Sequence, residues 1–255
     1  MSPPVAVTFD FWNTLVRATP GRFRRVRARR WRELLVAEGV QVEEEFLLDL
    51  FGRVVGVFEE HWAANRQFTA EDGAATALGW LAEATEVPPR LRDALVESFV
   101  RAGEDFEVEV APDAGAVLAA LADAGVPVGI VCDVGMTPSF ILREYLTRHG
   151  LDRHVTHMSF SDEVGSYKPS PTIFRHALEG LGVADPAATV HVGDLRRTDV
   201  AGARGMGMLS VRYRAMVDDV PGEESPDPYP EAHHVVDDHR SVARLFGLEV
   251  VEVAG

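Results

Sequence analysis

The chain has 255 residues, 46% of them apolar and 25% charged, with a formal net charge of −15 and a single cysteine, Cys132. This is a globular composition, long enough for one sizeable domain or two modest ones. The acidic balance argues against general binding to nucleic acid or to an anionic membrane surface. One cysteine rules out an intrachain disulfide and suits a reducing compartment. No run of about 18 apolar residues and no basic-then-apolar leader is present, so the expectation is a cytoplasmic protein without a membrane partner.

In chain order, Val5-Ala6-Val7 opens a buried strand that ends by delivering Asp10, within the stretch Thr8-Phe9-Asp10-Phe11-Trp12-Asn13-Thr14-Leu15. Residues 17–107 read as helical throughout. Thr19-Pro20 is a plausible N-cap and first-turn pair for an arginine-rich helix to about Val36. Apolar residues at helical spacing fill 43–64. Thr69 with Asp72 is a cap-like start before Ala74–Ala84, without the Glu or Gln of a full capping box. Pro89 leads a further helix through Leu95 to Val100.

From about residue 108 the pattern alternates. Helices are predicted at 114–124, 138–149, 171–181, 199–205 and 239–246. Strands are predicted at 126–132, 155–160, 188–192, 208–212 and 233–236. Residues 215–231 read as an acidic surface loop. Alternating strand and helix implies an α/β fold, a Rossmann-like doubly wound parallel sheet. Its core would be residues 1–16 and 108–255, with 17–107 inserted as a helical cap directly after the first strand. Ligands of such sheets lie outside the carboxyl ends of the strands, where an insertion there would roof them.

Those carboxyl ends carry acids: Asp10 after the first strand, Cys132-Asp133 after the second, and Gly193-Asp194 followed by Asp199 after a later one. If the strands are neighbours, Asp10, Asp194 and Asp199 converge and need a cation. Hard oxygen ligands of this kind suit Mg²⁺. A nearby ammonium would balance the remaining charge. Twenty-four of the 25 basic residues are arginine, and the single lysine is Lys168, before Pro169 at the start of a helix. Arginine and lysine are not interchangeable where a compact point charge is required.

Asp10-Phe11-Trp12-Asn13-Thr14-Leu15, Cys132-Asp133, Lys168-Pro169 and Gly193-Asp194 with Asp199 resemble, in order, the four motifs of the haloacid dehalogenase-like superfamily. The insertion between the first two resembles its C1-type cap. The resemblance covers nearly the whole chain and implies roles. Asp10 is the nucleophile and Lys168 the cation that neutralises it. Asp10, the Trp12 backbone carbonyl, Asp194 and Asp199 hold Mg²⁺. Trp12, Cys132, Asp133 and Lys168 face the substrate, and Thr14 steadies the loop. The implied activity is phosphatase action on a small phosphorylated metabolite through an aspartyl-phosphate.

Two positions depart from the phosphatase pattern. Trp12 stands where that pattern has a second Asp, and an indole N–H neither donates a proton to a leaving group nor takes one from water. Cys132 stands where Ser or Thr is usual. Trp12 admits several readings: an activated phosphate substrate that needs no acid, with the indole as a wall; a 2-haloacid dehalogenase-type enzyme, whose halide leaves unprotonated but which works without metal; a catalytically weak binding or regulatory protein; or simple packing. A phosphonatase is excluded, because 17–107 contains no lysine for a Schiff base.

The stretch Arg22–Arg32 reads first as a solvated helix face, second as a source of substrate-contacting arginines such as Arg30, and last as a nucleic-acid contact. His191 and His233-His234 lack metal-ligand spacing and read as structural. The assembly is left open between monomer and homodimer.

Overall fold

A computed structural model describes residues 4–105, 107–219 and 228–250. In chain order the elements are β1 (Ala6–Phe9), β2 (Val16–Arg17), α1 (Arg22–Ala37), α2 (Glu44–Ala63), α3 (Ala70–Ala84), α4 (Arg92–Val100) and β3 (Glu109–Val110). They continue as α5 (Ala114–Asp123), β4 (Val128–Cys132), α6 (Ser139–Arg148), β5 (His157–Phe160), α7 (Ser161–Val164), α8 (Pro171–Gly180) and β6 (Thr189–Gly193). The last are α9 (Ala201–Gly205), β7 (Leu209–Tyr213), β8 (His234–Val236) and α10 (His239–Leu245). The chain divides into two compact units: Met1–Arg17 with Val108–Asp133 and Tyr145–Gly255, and Ala18–Glu107 with Val134–Glu144.

The first unit holds a six-stranded sheet in the order β5-β4-β1-β6-β7-β8, every pair parallel. It is the α/β, doubly wound, Rossmann-like architecture expected. The central strands β1, β4 and β6 are buried along their length, as a parallel sheet covered on both faces demands. Alternation along β1 sends neighbours to opposite faces. Phe9 stacks on His239 of α10, with ring centroids 6.3 Å apart. Thr8 points the other way and bonds His191, whose ring meets Phe174 of α8 edge-on at 5.1 Å. Gly202 of α9 makes room for Phe174, because a Cβ there would collide with that ring.

The second unit is helical. Its core centres on Trp31, Phe51 and Phe99, whose rings pack at tilted or edge-on angles with centroids 5.0 to 6.3 Å apart. That geometry adds about 0.5–1.5 kcal/mol per pair beyond burial alone. The Trp31 indole N–H donates to the Leu95 carbonyl at 2.9 Å, so the largest core side chain leaves no buried donor unpaired. Residues 134–144 join this unit through Met136, whose side chain packs on the cluster and whose carbonyl accepts from Arg27 at 2.5 Å.

Several local features differ from the sequence reading. The arginine-rich helix starts at Arg22, two residues beyond the expected Thr19-Pro20 cap, because Gly21 (φ 70°) makes a left-handed turn there. Arg30 is not turned to the apolar side. It grips Asp105 at 2.6 and 2.8 Å, while Arg27 is the buried arginine, stacked 4.0 Å over Phe99. Asp72 completes a capping box without Glu or Gln: its carboxylate accepts from Thr69 N at 2.9 Å and its own N–H donates to Thr69 Oγ1 at 3.2 Å. A short antiparallel ribbon, β2 with β3, was not foreseen, nor was the single turn α7. The helix expected from 199 is preceded by a π-helical turn, Arg196–Val200. The acidic loop lies partly outside the described residues, at 220–227. Its described acids are tied down, Asp218 and Glu231 to Arg212 at 2.7 and 2.8 Å.

His239 is fully buried between Phe9 and Tyr213, and neither ring nitrogen has a hydrogen-bond partner among the described residues. Burial pulls its pKa down to about 4. A folded pKa below the unfolded value means stability is lost as the pH falls through roughly 6.5 to 4, by about 3 kcal/mol in total. His239→Leu should flatten that part of the pH–stability curve. Urea unfolding of both proteins at pH 7 and pH 4 measures it; equal losses would contradict the assignment.

Candidate active site

Asp10 follows β1 directly and extends its ladder, donating its N–H to the Val192 carbonyl at 2.8 Å. The chain then turns tightly. Leu15 N and Val16 N both donate to the Phe11 carbonyl at 3.0 Å, and Asn13 takes a left-handed conformation (φ 57°), which Asn tolerates better than most residues. The turn is held by backbone bonds. The buried Thr14 hydroxyl expected to steady it has no hydrogen-bond partner among the described residues. The Trp12 indole meets Phe11 edge-on at 5.0 Å and Tyr145 at 6.4 Å, forming an aromatic corner two residues from the carboxylate.

The fold brings four expected residues together. Lys168 Nζ donates to Asp10 Oδ1 at 2.5 Å and to Asp199 Oδ1 at 2.6 Å. Asp10, Lys168, Asp194 and Asp199 are each no more than 5% exposed. One oxygen from each of Asp10, Asp194 and Asp199 lies within 4.8 Å of the others. Cys132 is fully buried at the end of β4, and burial pushes its thiol well above the ordinary range. Asp133 accepts the Lys168 backbone N–H at 2.9 Å, so one of its oxygens positions the lysine loop.

Two residues at the site escaped the sequence reading. His191 Nε2 lies 3.0 Å from Asp199 Oδ1, and its Nδ1 lies 2.8 Å from the Thr8 hydroxyl. A carboxylate only accepts, so the proton sits on Nε2 and the hydroxyl donates to Nδ1. Burial holds His191 below its usual pKa, hence neutral. The available signal was register: Thr8 and His191 are polar residues inside buried strands and are direct cross-strand partners. Asp199 also accepts from Leu195 N and Thr198 Oγ1, both at 3.1 Å. Gly193 permits this, since a Cβ at that position would overlap the Asp199 carboxylate.

The charges divide unevenly. Burial raises the Asp199 carboxyl, but Lys168 and His191 outweigh it and hold the group below the carboxylate range. Burial would lower Lys168, yet the charges of Asp10, Asp199 and Asp133 keep it well above its ordinary value. Burial, then repulsion from Asp10 and Asp199, pushes Asp194 well up. Asp10 is raised to about 7, by burial first and by Asp199, against the pull of Lys168. Asp194 Oδ2 is buried with no hydrogen-bond partner among the described residues. Three carboxylates against one ammonium, with one oxygen orphaned, fit a divalent cation with oxygen preference.

Residues 5–207 match the haloacid dehalogenase-like hydrolase family, and the chain belongs to it. Among curated relatives, it is 36% identical over 147 residues to a phosphoserine phosphatase of Thermus thermophilus, covering 58% of this chain and 56% of that one. It is 35% identical over 100 residues to a phosphoglycolate phosphatase of Neisseria meningitidis, covering 39% of this chain and 40% of that one. The chain thus spans about half the length of these relatives. The fold is similar to the crystal structure of a 2-haloacid dehalogenase from Pseudomonas syringae pv. Tomato, with TM-score 0.67 and 21% identity over 97% of this chain and 99% of that one. No helix among the described residues is long and apolar enough to cross a membrane.

A divalent cation held by Asp10 and Asp194 would need both carboxyls ionised, and burial raises both, Asp10 to about 7, so affinity for Mg²⁺ should rise with pH through that range. Calorimetric titration at pH 6, 7 and 8 measures this, and a flat profile would contradict the raised Asp10.

Proposed function

We propose that the protein is a Mg²⁺-dependent phosphatase of small phosphorylated metabolites, acting through Asp10. The observation that carries this reading is the buried Lys168 bridge between Asp10 and Asp199, beside the partnerless Asp194 Oδ2. Asp10, the Trp12 carbonyl, Asp194 and Asp199 would hold the cation, which supplies charge neutralisation for an incoming phosphate. The phosphatase relatives support the substrate class. The insertion 17–107 is assigned to the helical cap and 1–16 with 108–255 to the catalytic core, except that the helical unit begins at Ala18 and also takes in Val134–Glu144.

In this mechanism an Asp10 oxygen attacks phosphorus. The bond from phosphorus to the leaving oxygen breaks, its electron pair departing with that oxygen. Water then attacks phosphorus in the phosphorylated Asp10, the bond to the carboxylate oxygen breaks, and inorganic phosphate leaves with Asp10 restored. Lys168 holds Asp10 Oδ1 in place and keeps its charge compensated while the trianionic centre forms. His191 and the Leu195 N–H fix Asp199, which in turn fixes Lys168. Trp12 supplies no proton at either step. Substrates whose leaving groups are stable as anions, such as acyl phosphates, are therefore favoured over alkyl esters. The buried Cys132 and the aromatic corner of Trp12 line the apolar side of the reacting centre.

Hydrolysis of a panel of acyl and alkyl phosphates, with Mg²⁺ and with chelator, tests the reading. Release should be chelator-sensitive and should vanish in Asp10→Asn. Turnover that ignores chelator would point to carbon–halogen chemistry instead, and no release from any member to a binding protein. Trp12→Asp should raise alkyl-ester hydrolysis by about 10²-fold or more, the usual worth of a general acid, while leaving acyl phosphates nearly unchanged. If alkyl esters gain nothing, the proton comes from elsewhere.

A further inference from the structure

The chain leaves β4 through a short turn. Cys132 is the last paired residue of the strand, opposite Phe160 of β5. Asp133 follows, and its carboxylate accepts the Lys168 backbone N–H at 2.9 Å. The next four residues close on themselves. Thr137 N donates to the Val134 carbonyl at 3.3 Å, and Gly135 takes a left-handed φ of 63° at the second position, as a tight turn of this hand requires. The division of the chain falls inside this stretch: Asp133 belongs to the sheet unit, and Val134–Glu144 belongs to the helical unit.

On the helical side the turn is held by Arg27 of α1. This arginine is 4% exposed and lies over the Phe99 ring at 4.0 Å. One edge of its guanidinium reaches two backbone acceptors. Nε donates to the Phe99 carbonyl at 3.2 Å, and Nη2 donates to the Met136 carbonyl at 2.5 Å. The second bond is charge-assisted, and breaking it would leave a poorly solvated carbonyl without its donor. The Met136 side chain is seated as well. A Cβ on Gly73 of α3 would stand 2.9 Å from the Met136 sulfur, so the glycine leaves the space that the thioether fills. A hydrogen bond and a packing contact thus pin the same residue.

Asp133 is therefore held along the backbone from both sides, by the β4 ladder before it and by the closed turn after it. A hydrogen-bonded turn has little slack, so a shift at Met136 passes back to Asp133. We infer that Arg27 is a positioning residue for Lys168. By holding the Met136 carbonyl it fixes the turn, and the turn fixes Asp133. Asp133 in turn fixes the backbone from which the ammonium reaches Asp10 and Asp199. An arginine of the helical unit thereby sets how the sheet unit presents its one ammonium, the kind of support on which a reacting constellation depends. The consequence for catalysis rests on the phosphatase reading, but the coupling itself is visible without turnover.

The test uses the full chain labelled with ¹⁵N-lysine. Lys168 is the only lysine, so the label gives one backbone amide resonance, and its hydrogen-exchange rate reports the bond to Asp133. Asp133→Ala should speed exchange about tenfold or more, which calibrates the loss of that bond. Arg27→Met keeps a buried apolar stem but removes the donors, and should speed exchange by a comparable factor. Arg27→Lys returns one donor and should fall between Arg27→Met and the wild type. Leu47→Ala hollows the same helical core without removing a bond to the turn, and should exchange at the wild-type rate. Wild-type exchange in Arg27→Met or in Asp133→Ala overturns the inference. Exchange as fast in Leu47→Ala as in Arg27→Met overturns it too, because the effect is then general loosening. If Arg27→Met does not fold, Arg27→Lys against Leu47→Ala decides by the same comparison. A protein that hydrolyses no phosphate at all would sink the phosphatase reading and leave this result standing.

Discussion

A single buried ammonium organises the carboxyl edge of the sheet. Lys168 is 2% exposed, and taking a charge that far from water is tolerable only because two carboxylates meet it at hydrogen-bond distance. Each of those partners needs its own support. Asp10 is fixed by the end of the β1 ladder. Asp199 is fixed by His191, Leu195 N and Thr198, within a π-helical turn that Gly193 leaves room for. The lysine backbone is fixed by Asp133. Removing one partner strands the others as uncompensated buried charge, so the residues around Lys168 stand or fall as a set. That interdependence explains why side chains from four different strand ends converge so closely.

Much of this was legible in the sequence because the sheet is parallel. Buried parallel strands write themselves as short apolar runs, and each run ends at a residue that the topology must deliver to the same edge. Asp10, Asp133, Asp194 and Asp199 could be placed together on that basis, and Lys168 stood out as the only lysine. His191 and Thr8 could not be read so easily. Their partnership depends on which strands are neighbours and in what register, and β6 lies 180 residues from β1 in sequence. The β2–β3 ribbon is two residues per strand, too short for any periodicity to register. The helix start at Arg22 was misread because a strong cap pair, Thr19-Pro20, sits just upstream of a glycine whose positive φ overrides it. Arg30 was misplaced because an arginine-rich helix offers no apolar stripe from which to set its phase.

The fold does not choose among the chemistries that use it. A dehalogenase from Pseudomonas syringae shares this architecture at 21% identity, while a phosphoserine phosphatase and a phosphoglycolate phosphatase are 36% and 35% identical over parts of the chain. The choice rests on the site. A nucleophilic carboxylate held by one lysine serves attack on carbon or on phosphorus. A third, orphaned carboxylate beside it adds negative charge that a metal-free reaction has no use for. On the proposed reading, the aromatic corner at Trp12 would narrow the reaction by what it withholds, a titrating group, rather than by what it contributes.

The scarcity of lysine has a consequence for the chemistry of the whole surface. Lys168 carries the only side-chain amine in the chain, and the folded protein hides it behind two carboxylates. Acylation, carbamylation and amine-directed cross-linking therefore find no side-chain target on the native molecule. The exposed cations are guanidinium groups, which those reagents leave alone. Adduct at Lys168 would appear only when the site opens, so the single side-chain amine doubles as a built-in reporter of exposure at the carboxyl edge of the sheet.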